Sequence, residues 1–153
     1  MKTHIQQHDM QRLRTRYQRF VTVCERNTDS VKAELKENGV ACETVRQHIA
    51  RVEETIRRTC EQMNRPTLYP ELRFEYLEQI AWLEAGKKEQ LQQLLELEKQ
   101  RTTLSLQMKQ STGRLNKTQE QLKKLQQIQQ QQEEQTLLEY WSNYHPYTLR
   151  KYE

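Results

Sequence analysis

The segment Asn64-Arg65-Pro66-Thr67-Leu68-Tyr69-Pro70 decides the fold, because it interrupts a heptad pattern that otherwise runs through most of the chain. Each proline biases the residue before it away from helix, and proline is tolerated in the first turn of a following helix. Glu71 favours the positive end of a helix that begins there. We predict a tip turn at 64–70 between a first helix at about 6–63 and a second at about 71–143, with a loose C-terminal tail at 144–153.

The first helix shows two heptad frames joined by a shift. The first frame contains Met10, Leu13, Tyr17, Phe20, Cys24, Asn27 and Val31. The first frame would continue at position 34, but the next apolar residue is Leu35, where the second frame begins. The second frame also contains Asn38, Cys42, Val45, Ile49, Val52, Ile56, Thr59 and Met63. Such a stutter locally unwinds a coiled coil, and Gly39 beside it is about 1 kcal/mol less favourable than a good helix former. We therefore predict a soft place near 31–40.

The second helix carries a single heptad frame that decays in the Gln-rich run after Leu125. Its members are Tyr76, Ile80, Leu83, Lys87, Gln90, Leu94, Leu97, Arg101, Leu104, Met108, Ser111, Leu115, Thr118, Leu122 and Leu125. Polar residues at seam positions weaken a coiled coil and can set its register. Folding the chain at about residue 67 places four pairs together, namely Met10 with Leu122, Cys24 with Met108, Leu35 with Leu97 and Ile56 with Tyr76.

The composition restricts the chain to a narrow core. Apolar residues make up 34 % of 153, charged residues make up 30 %, and no alternating run typical of a strand occurs. The predicted fold is therefore all-α, a long antiparallel two-helix coiled-coil hairpin forming one domain over 1–153. A seam of this kind encloses no substrate pocket, and no catalytic, zinc-binding or phosphate-binding motif is present. We expect neither an enzyme nor a bound metal or cofactor.

Cysteine spacing and hydropathy favour a cytoplasmic protein. Cys24, Cys42 and Cys60 are odd in number and lie about 27 Å apart along a straight helix, beyond disulfide reach, which fits a reducing compartment. No apolar run approaches the length of about 20 residues that crosses a bilayer, and the N-terminus does not resemble a signal peptide. We expect no insertion into a membrane.

Aromatic side chains follow the predicted turn at positions where a two-helix seam needs polar residues. Tyr69, Phe74 and Trp82 lie there, beside the seam residue Tyr76. Aromatic residues are enriched in the energetic centres of protein interfaces. Two interpretations stay open: a docking patch, or local packing over the turn that closes the hairpin.

A second aromatic group ends the chain, near basic residues that the hairpin would bring together. Tyr140, Trp141, Tyr144 and Tyr147 precede Arg150 and Lys151, whereas Arg12, Arg16 and Arg19 start the first helix and Lys117, Lys123 and Lys124 lie late in the second. The aromatic residues either contact a partner or fold back on the first helix. The arginines form either a solvated helix face or a contact for an acidic or nucleic-acid partner.

The predicted architecture and four short stretches of sequence together resemble the FliJ/SctO family. The stretches are Leu13-Arg14-Thr15-Arg16-Tyr17-Gln18-Arg19-Phe20, Tyr76-Leu77-Glu78-Gln79-Ile80, Leu83-Glu84 and Tyr140-Trp141. These are cytoplasmic central stalk proteins of flagellar and virulence-associated type III secretion systems. The resemblance covers nearly the whole chain in architecture, and its motifs are weakly specific.

The resemblance implies a non-enzymatic stalk that couples a hexameric export ATPase to the export gate, and some family members escort secretion chaperones. The ATPase would bind the terminal end, through Arg12, Arg16, Arg19, Lys117, Lys123, Lys124, Tyr140 and Trp141. The export gate would bind the tip, through Tyr69, Phe74, Tyr76 and Trp82.

Two alternatives to the stalk stay open. A small basic helical protein rich in Gln and Arg is also similar to the primosomal PriC type of replication-restart protein, which would bind nucleic acid. A generic coiled-coil scaffold would need no more than the heptad pattern. The stalk interpretation, in contrast, includes no nucleic acid among the expected partners.

Overall fold

The computed structural model describes residues 2–144, with only the backbone described for positions 2–5. Two α-helices, α1 (Lys2–Met63) and α2 (Pro70–Tyr144), pack against each other, and no strand occurs within the described range. The predicted all-α helical hairpin is confirmed. Its narrow seam follows from the composition, because an apolar stripe of two positions per heptad is enough to bury one side of each helix.

The helix ends differ slightly from those predicted. Helix α1 begins at Lys2 rather than near residue 6, and Tyr144 belongs to α2 rather than to a loose tail. Helix α2 begins at Pro70, in agreement with the predicted start at about residues 70–71. Pro70 fits a first helical position because the N–H group that it lacks would have no partner inside the helix. The rest of the predicted tail, 145–153, lies outside the described residues.

The turn between the helices is short and hydrogen-bonded. Asn64 N donates to Cys60 O at 3.1 Å, Leu68 N donates to Arg65 O at 3.3 Å, and Arg73 N donates to Tyr69 O at 3.2 Å as α2 begins. These bonds satisfy backbone groups that the two helix ends would otherwise leave without partners.

Contacts divide the hairpin into two compact units. The terminal unit consists of Met1–Asp29 with Gln110–Glu153, and the tip unit is Ser30–Lys109. Each unit contains segments of both helices, so each has its own part of the seam.

The seam of the tip unit follows the predicted residues except Arg101, which is exposed, and includes a buried polar layer. Cys42 is fully buried, and Ile49 is 8 % exposed. Asn38, 6 % exposed, donates through Nδ2 to the carbonyl oxygen of Leu97 at 3.0 Å, and Cys42 Sγ lies 3.6 Å from Asn38 Oδ1. Because a buried amide without partners is costly, this layer favours the observed pairing of the two helices.

The seam of the terminal unit corrects the predicted frame of α1. Val21 is 9 % exposed, whereas Phe20, the predicted seam residue, is 58 % exposed. Arg14 and Thr28 likewise occupy seam positions instead of Leu13 and Asn27. The seam residues of α1 therefore follow one heptad frame from Met10 to Met63, and the predicted stutter was wrong. That frame contains Met10, Arg14, Tyr17, Val21, Cys24, Thr28, Val31, Leu35, Asn38, Cys42, Val45, Ile49, Val52, Ile56, Thr59 and Met63. The soft place near 31–40 stays a prediction.

Polar pairing explains why Arg14 and Thr28 enter the seam. Arg14 Nη1 donates to Gln129 Oε1 at 3.1 Å. Thr28 Oγ1 donates to Cys24 O at 2.8 Å and lies 2.7 Å from Ser111 Oγ, so the Ser111 hydroxyl is the donor of that second bond. Arg14 Nε, in contrast, is buried without a hydrogen-bond partner among the described residues. Partners across the seam therefore offset part of the cost of burying these groups, and hydrophobicity alone does not reveal such partners.

The pairing of the helices is one heptad away from the predicted pairing. In the terminal unit, Met10 lines a groove with Gln129 and Gln132 instead of meeting Leu122, and the α2 seam thus continues past Leu125. In the tip unit, Lys87 Nζ reaches Glu53 Oε1 at 3.1 Å, although folding at residue 67 would place Lys87 near Val45. The cause lies at the turn, because every residue from 69 to 75 is exposed and pairing starts later in α2 than assumed.

A carboxylate on the exposed face of α1 is held ionised by two arginines. Arg57 donates to Glu54 through Nη2 at 2.6 Å and Nε at 3.0 Å, and Arg58 Nε donates to it at 3.1 Å. The hydrogen bonds from Arg57, followed by those from Arg58, lower the pKa of Glu54 from 4.5 to about 2. The network therefore keeps its charges in mild acid.

Gly39→Ala is expected to stabilise the hairpin by about 0.5–1 kcal/mol, because glycine costs that much relative to alanine inside a helix. A Cβ atom placed on Gly39 would meet nothing within 4 Å, and the residue has no positive φ. Urea denaturation of both proteins gives the difference. A lower midpoint for the variant would mean that the hairpin requires the flexibility of Gly39.

Candidate protein-interaction surfaces

The tip unit exposes three of the four aromatic residues predicted to bind a partner. Tyr69, Phe74 and Trp82 are 71 %, 64 % and 76 % exposed. Tyr69 ends the turn and Phe74 lies in the first turns of α2, before the paired part of the seam. Tyr76 is only half-buried and belongs to the seam. We call Tyr69, Phe74 and Trp82 the tip aromatic surface.

Trp82 stands beside a groove between the two helices of the tip unit. The groove has a volume of about 430 Å³, and its lining includes His48, Val52, Gly86 and Glu89. A Cβ atom on Gly86 would have open space around it. The high exposure of Trp82 favours docking over the alternative of packing across the turn.

Trp82→Ala is expected to leave the helical content and the unfolding midpoint nearly unchanged and to weaken binding of a partner at the tip. Exposed side chains contribute little to folding, whereas an aromatic residue at the centre of an interface contributes 2 kcal/mol or more, about thirtyfold in Kd. Circular dichroism measures the first effect, and titration with the cytosolic domain of an export gate, the partner that the family resemblance implies for the tip, measures the second. Parallel losses of helicity and binding would show that Trp82 is a packing residue.

The terminal unit exposes the predicted basic residues. Arg12, Arg16 and Arg19 lie along one exposed face of α1, and their stretch of the helix, with His8 and Leu13, lines a shallow groove. None of the three arginines forms an ion pair with another residue in the part of the chain that the structure describes. Lys117, Lys123 and Lys124 on α2 are also exposed. The positive charge of this unit is therefore available to a partner.

The end of α2 presents aromatic and aliphatic side chains. Every residue from Glu133 to Tyr144 is exposed, including Tyr140 at 54 % and Trp141 at 58 %. The rings of Tyr140 and Tyr144 are 4.6 Å apart between centroids and tilted by 30°. Leu137 and Leu138, at 59 % and 69 % exposed, extend this surface. We call Leu137, Leu138, Tyr140, Trp141 and Tyr144 the terminal aromatic surface.

Sequence reasoning missed the contribution of Leu137 and Leu138 to this surface, because it treated them as ends of the Gln-rich run. Their signal was available, since Leu137 and Leu138 are apolar and follow the Gln-rich run, after the seam frame has decayed. The predicted basic and aromatic residues do lie within the same unit.

Comparison of the chain with protein-family models, curated proteins and solved structures found no match. Among the described residues, neither helix is long and apolar enough to cross a membrane. Nor do His, Cys, Asp and Glu side chains form a group of three that could hold a metal ion within that part of the chain. The surfaces themselves are therefore the basis for a functional conclusion.

Proposed function

We propose that this chain is a non-enzymatic coiled-coil stalk of a type III protein export apparatus, coupling a hexameric export ATPase to the export gate. The terminal unit binds the ATPase, and the tip unit binds the cytosolic domain of the gate. Secretion chaperones are further partners in the family that the sequence resembles, and the chain works in the cytoplasm.

The observation that carries the proposal is the composition of the terminal unit. It combines exposed arginines on α1, which have no ion-pair partner among the described residues, with the terminal aromatic surface on α2. Arginine and large aromatic residues are the side chains most enriched in interface hot spots. A chain that exposes both kinds of side chain in one unit has the features of a subunit that docks into a larger assembly.

The tip aromatic surface supports the second half of the proposal. A coupling protein needs two binding surfaces, and the tip unit has its own exposed aromatic residues, Tyr69, Phe74 and Trp82. A helical hairpin positions such residues on rigid elements, which reduces the conformational entropy lost on binding.

The direct test is copurification with the hexameric export ATPase. Tyr140→Ala combined with Trp141→Ala should reduce ATPase binding at least about tenfold, with unchanged binding to the gate domain. Leu106→Ala is a matched control, because Leu106 is 58 % exposed and lies in the tip unit, outside both aromatic surfaces. Failure of the unaltered chain to bind the ATPase would contradict the proposal.

A nucleic-acid-binding protein is the second candidate, favoured by the stripe of Arg12, Arg16 and Arg19. Phosphate contacts would give affinity for single-stranded DNA that falls steeply with salt, by a log–log slope of about −0.7 per contact. The stalk proposal predicts little DNA binding. Fluorescence anisotropy with a labelled oligonucleotide at several salt concentrations separates the two candidates.

A further inference from the structure

A second stripe runs along α2 in the tip unit, about 100° around the helix from the seam. Its positions repeat at spacings of three and four residues, and all of them are exposed. Its leucines, Leu77, Leu91 and Leu95, are 52 %, 43 % and 57 % exposed. We call this surface the lateral stripe, and it consists of Leu77, Ala81, Glu84, Lys88, Leu91 and Leu95.

The centre of the lateral stripe carries two charges that the hairpin does not use. Within residues 2–144, neither Glu84 nor Lys88 forms an ion pair. Neighbouring charges behave differently, because Lys87 pairs with Glu53 at 3.1 Å and Glu98 pairs with Arg46 at 3.5 Å. Glu84 and Lys88 are thus available to a partner, between apolar residues on either side.

The lateral stripe is complementary to itself under a twofold rotation. An antiparallel copy centred between Glu84 and Lys88 places Glu84 against Lys88 of the partner subunit and Lys88 against Glu84 of the partner subunit. The same operation places Leu77 against Leu95 of the partner subunit and Ala81 against Leu91 of the partner subunit. Apolar positions therefore meet apolar positions, a small residue meets a large one, and both charges meet the opposite sign.

We propose that the lateral stripe is a homodimerisation surface, across which a second copy of the chain packs its own stripe in antiparallel orientation. The paired charges fix the register, because slipping by one heptad in either direction would place them against apolar residues. Each copy contributes only six positions, so we expect a small interface of the weak, transient class, with a Kd on the order of micromolar. The proposal does not depend on the export function, because the stripe contains no residue of either aromatic surface.

Sedimentation equilibrium with charge-reversal variants tests this pairing. Glu84→Lys and Lys88→Glu each place like charges together at two contacts, and each should weaken dimerisation about tenfold or more. Mixing the two variants should restore the dimer as a heterodimer, and the double variant should dimerise like the unaltered chain. Circular dichroism confirms that each variant remains helical.

Leu106→Asp is the control for a general effect of added charge, since Leu106 is exposed on α2 outside the stripe. It should leave the dimer unchanged, whereas Leu95→Asp should abolish it. An unaltered chain that stays monomeric at high micromolar concentration would overturn the proposal. A mixture of the two charge variants that remains monomeric would overturn it as well, because the pairing of Glu84 with Lys88 would then be wrong.

Discussion

Val21→Asp is expected to lower the free energy of unfolding by about 3 kcal/mol or more, whereas Phe20→Asp lowers it by less than about 1 kcal/mol. Val21 is 9 % exposed in the seam, and Phe20 is 58 % exposed beside it. An aspartate at Val21 would be buried against α2 without a partner, but at Phe20 it would remain hydrated. The cost of aspartate in a helix is common to both variants, so their difference reports burial.

Urea denaturation followed by circular dichroism measures both free energies under one set of conditions. The comparison decides between the two heptad frames of α1, because the frame with a stutter places Phe20 in the seam and Val21 outside it. Equal effects, or a larger effect at Phe20, would contradict the observed frame.

Truncation after Gln135 is expected to abolish binding to the export ATPase while leaving the hairpin folded. The truncated chain lacks the whole terminal aromatic surface, and the loss of several interface anchors weakens binding by far more than tenfold. Folding should persist because the last half-buried residue of the α2 seam is Gln132. Unfolding midpoint, helical content and stimulation of ATP hydrolysis are the quantities to compare.

A matched truncation after Tyr144 separates the aromatic surface from the residues that follow it. This variant retains Tyr140, Trp141 and Tyr144 and should bind the ATPase like the full chain. Unaltered stimulation of ATP hydrolysis by the chain that ends at Gln135 would count against assigning the ATPase contact to this surface.

The fold was predictable from the proline-marked turn and from the frame of α2, where Tyr76, Leu94, Leu115 and Leu122 mark the seam clearly. The frame of α1 was not predictable from hydrophobicity. Leu13 and Phe20 are more apolar than the residues that replace them in the seam, and Arg14 and Thr28 are accepted there because Gln129 and Ser111 face them. Such cross-helix pairing becomes visible only when the register is known.

The pairing register of the two helices depends on where pairing begins after the turn, and the sequence does not reveal that position. Two prolines indicate where the chain reverses, but they do not reveal that residues 69–75 stay outside the paired region. A heptad repeat presents the same helix face every seven residues. If the assumed turn is too short by the equivalent of one heptad, seam residues still face seam residues, but every predicted contact is shifted. The candidate surfaces were predictable as aromatic and basic residues outside the seam, and the antiparallel hairpin predicted their grouping at its two ends.

Disulfide cross-linking in the terminal unit tests the antiparallel pairing itself, in a chain whose native cysteines are replaced by alanine. Thr28→Cys with Ser111→Cys should form an intramolecular disulfide rapidly, because the two native hydroxyl oxygens are 2.7 Å apart. Val21→Cys with Ser111→Cys tests the register predicted from sequence, which differs from the observed one by one heptad. This pair should cross-link poorly. Efficient cross-linking of only the second pair would contradict the register, and failure of both pairs within the monomer would contradict the hairpin.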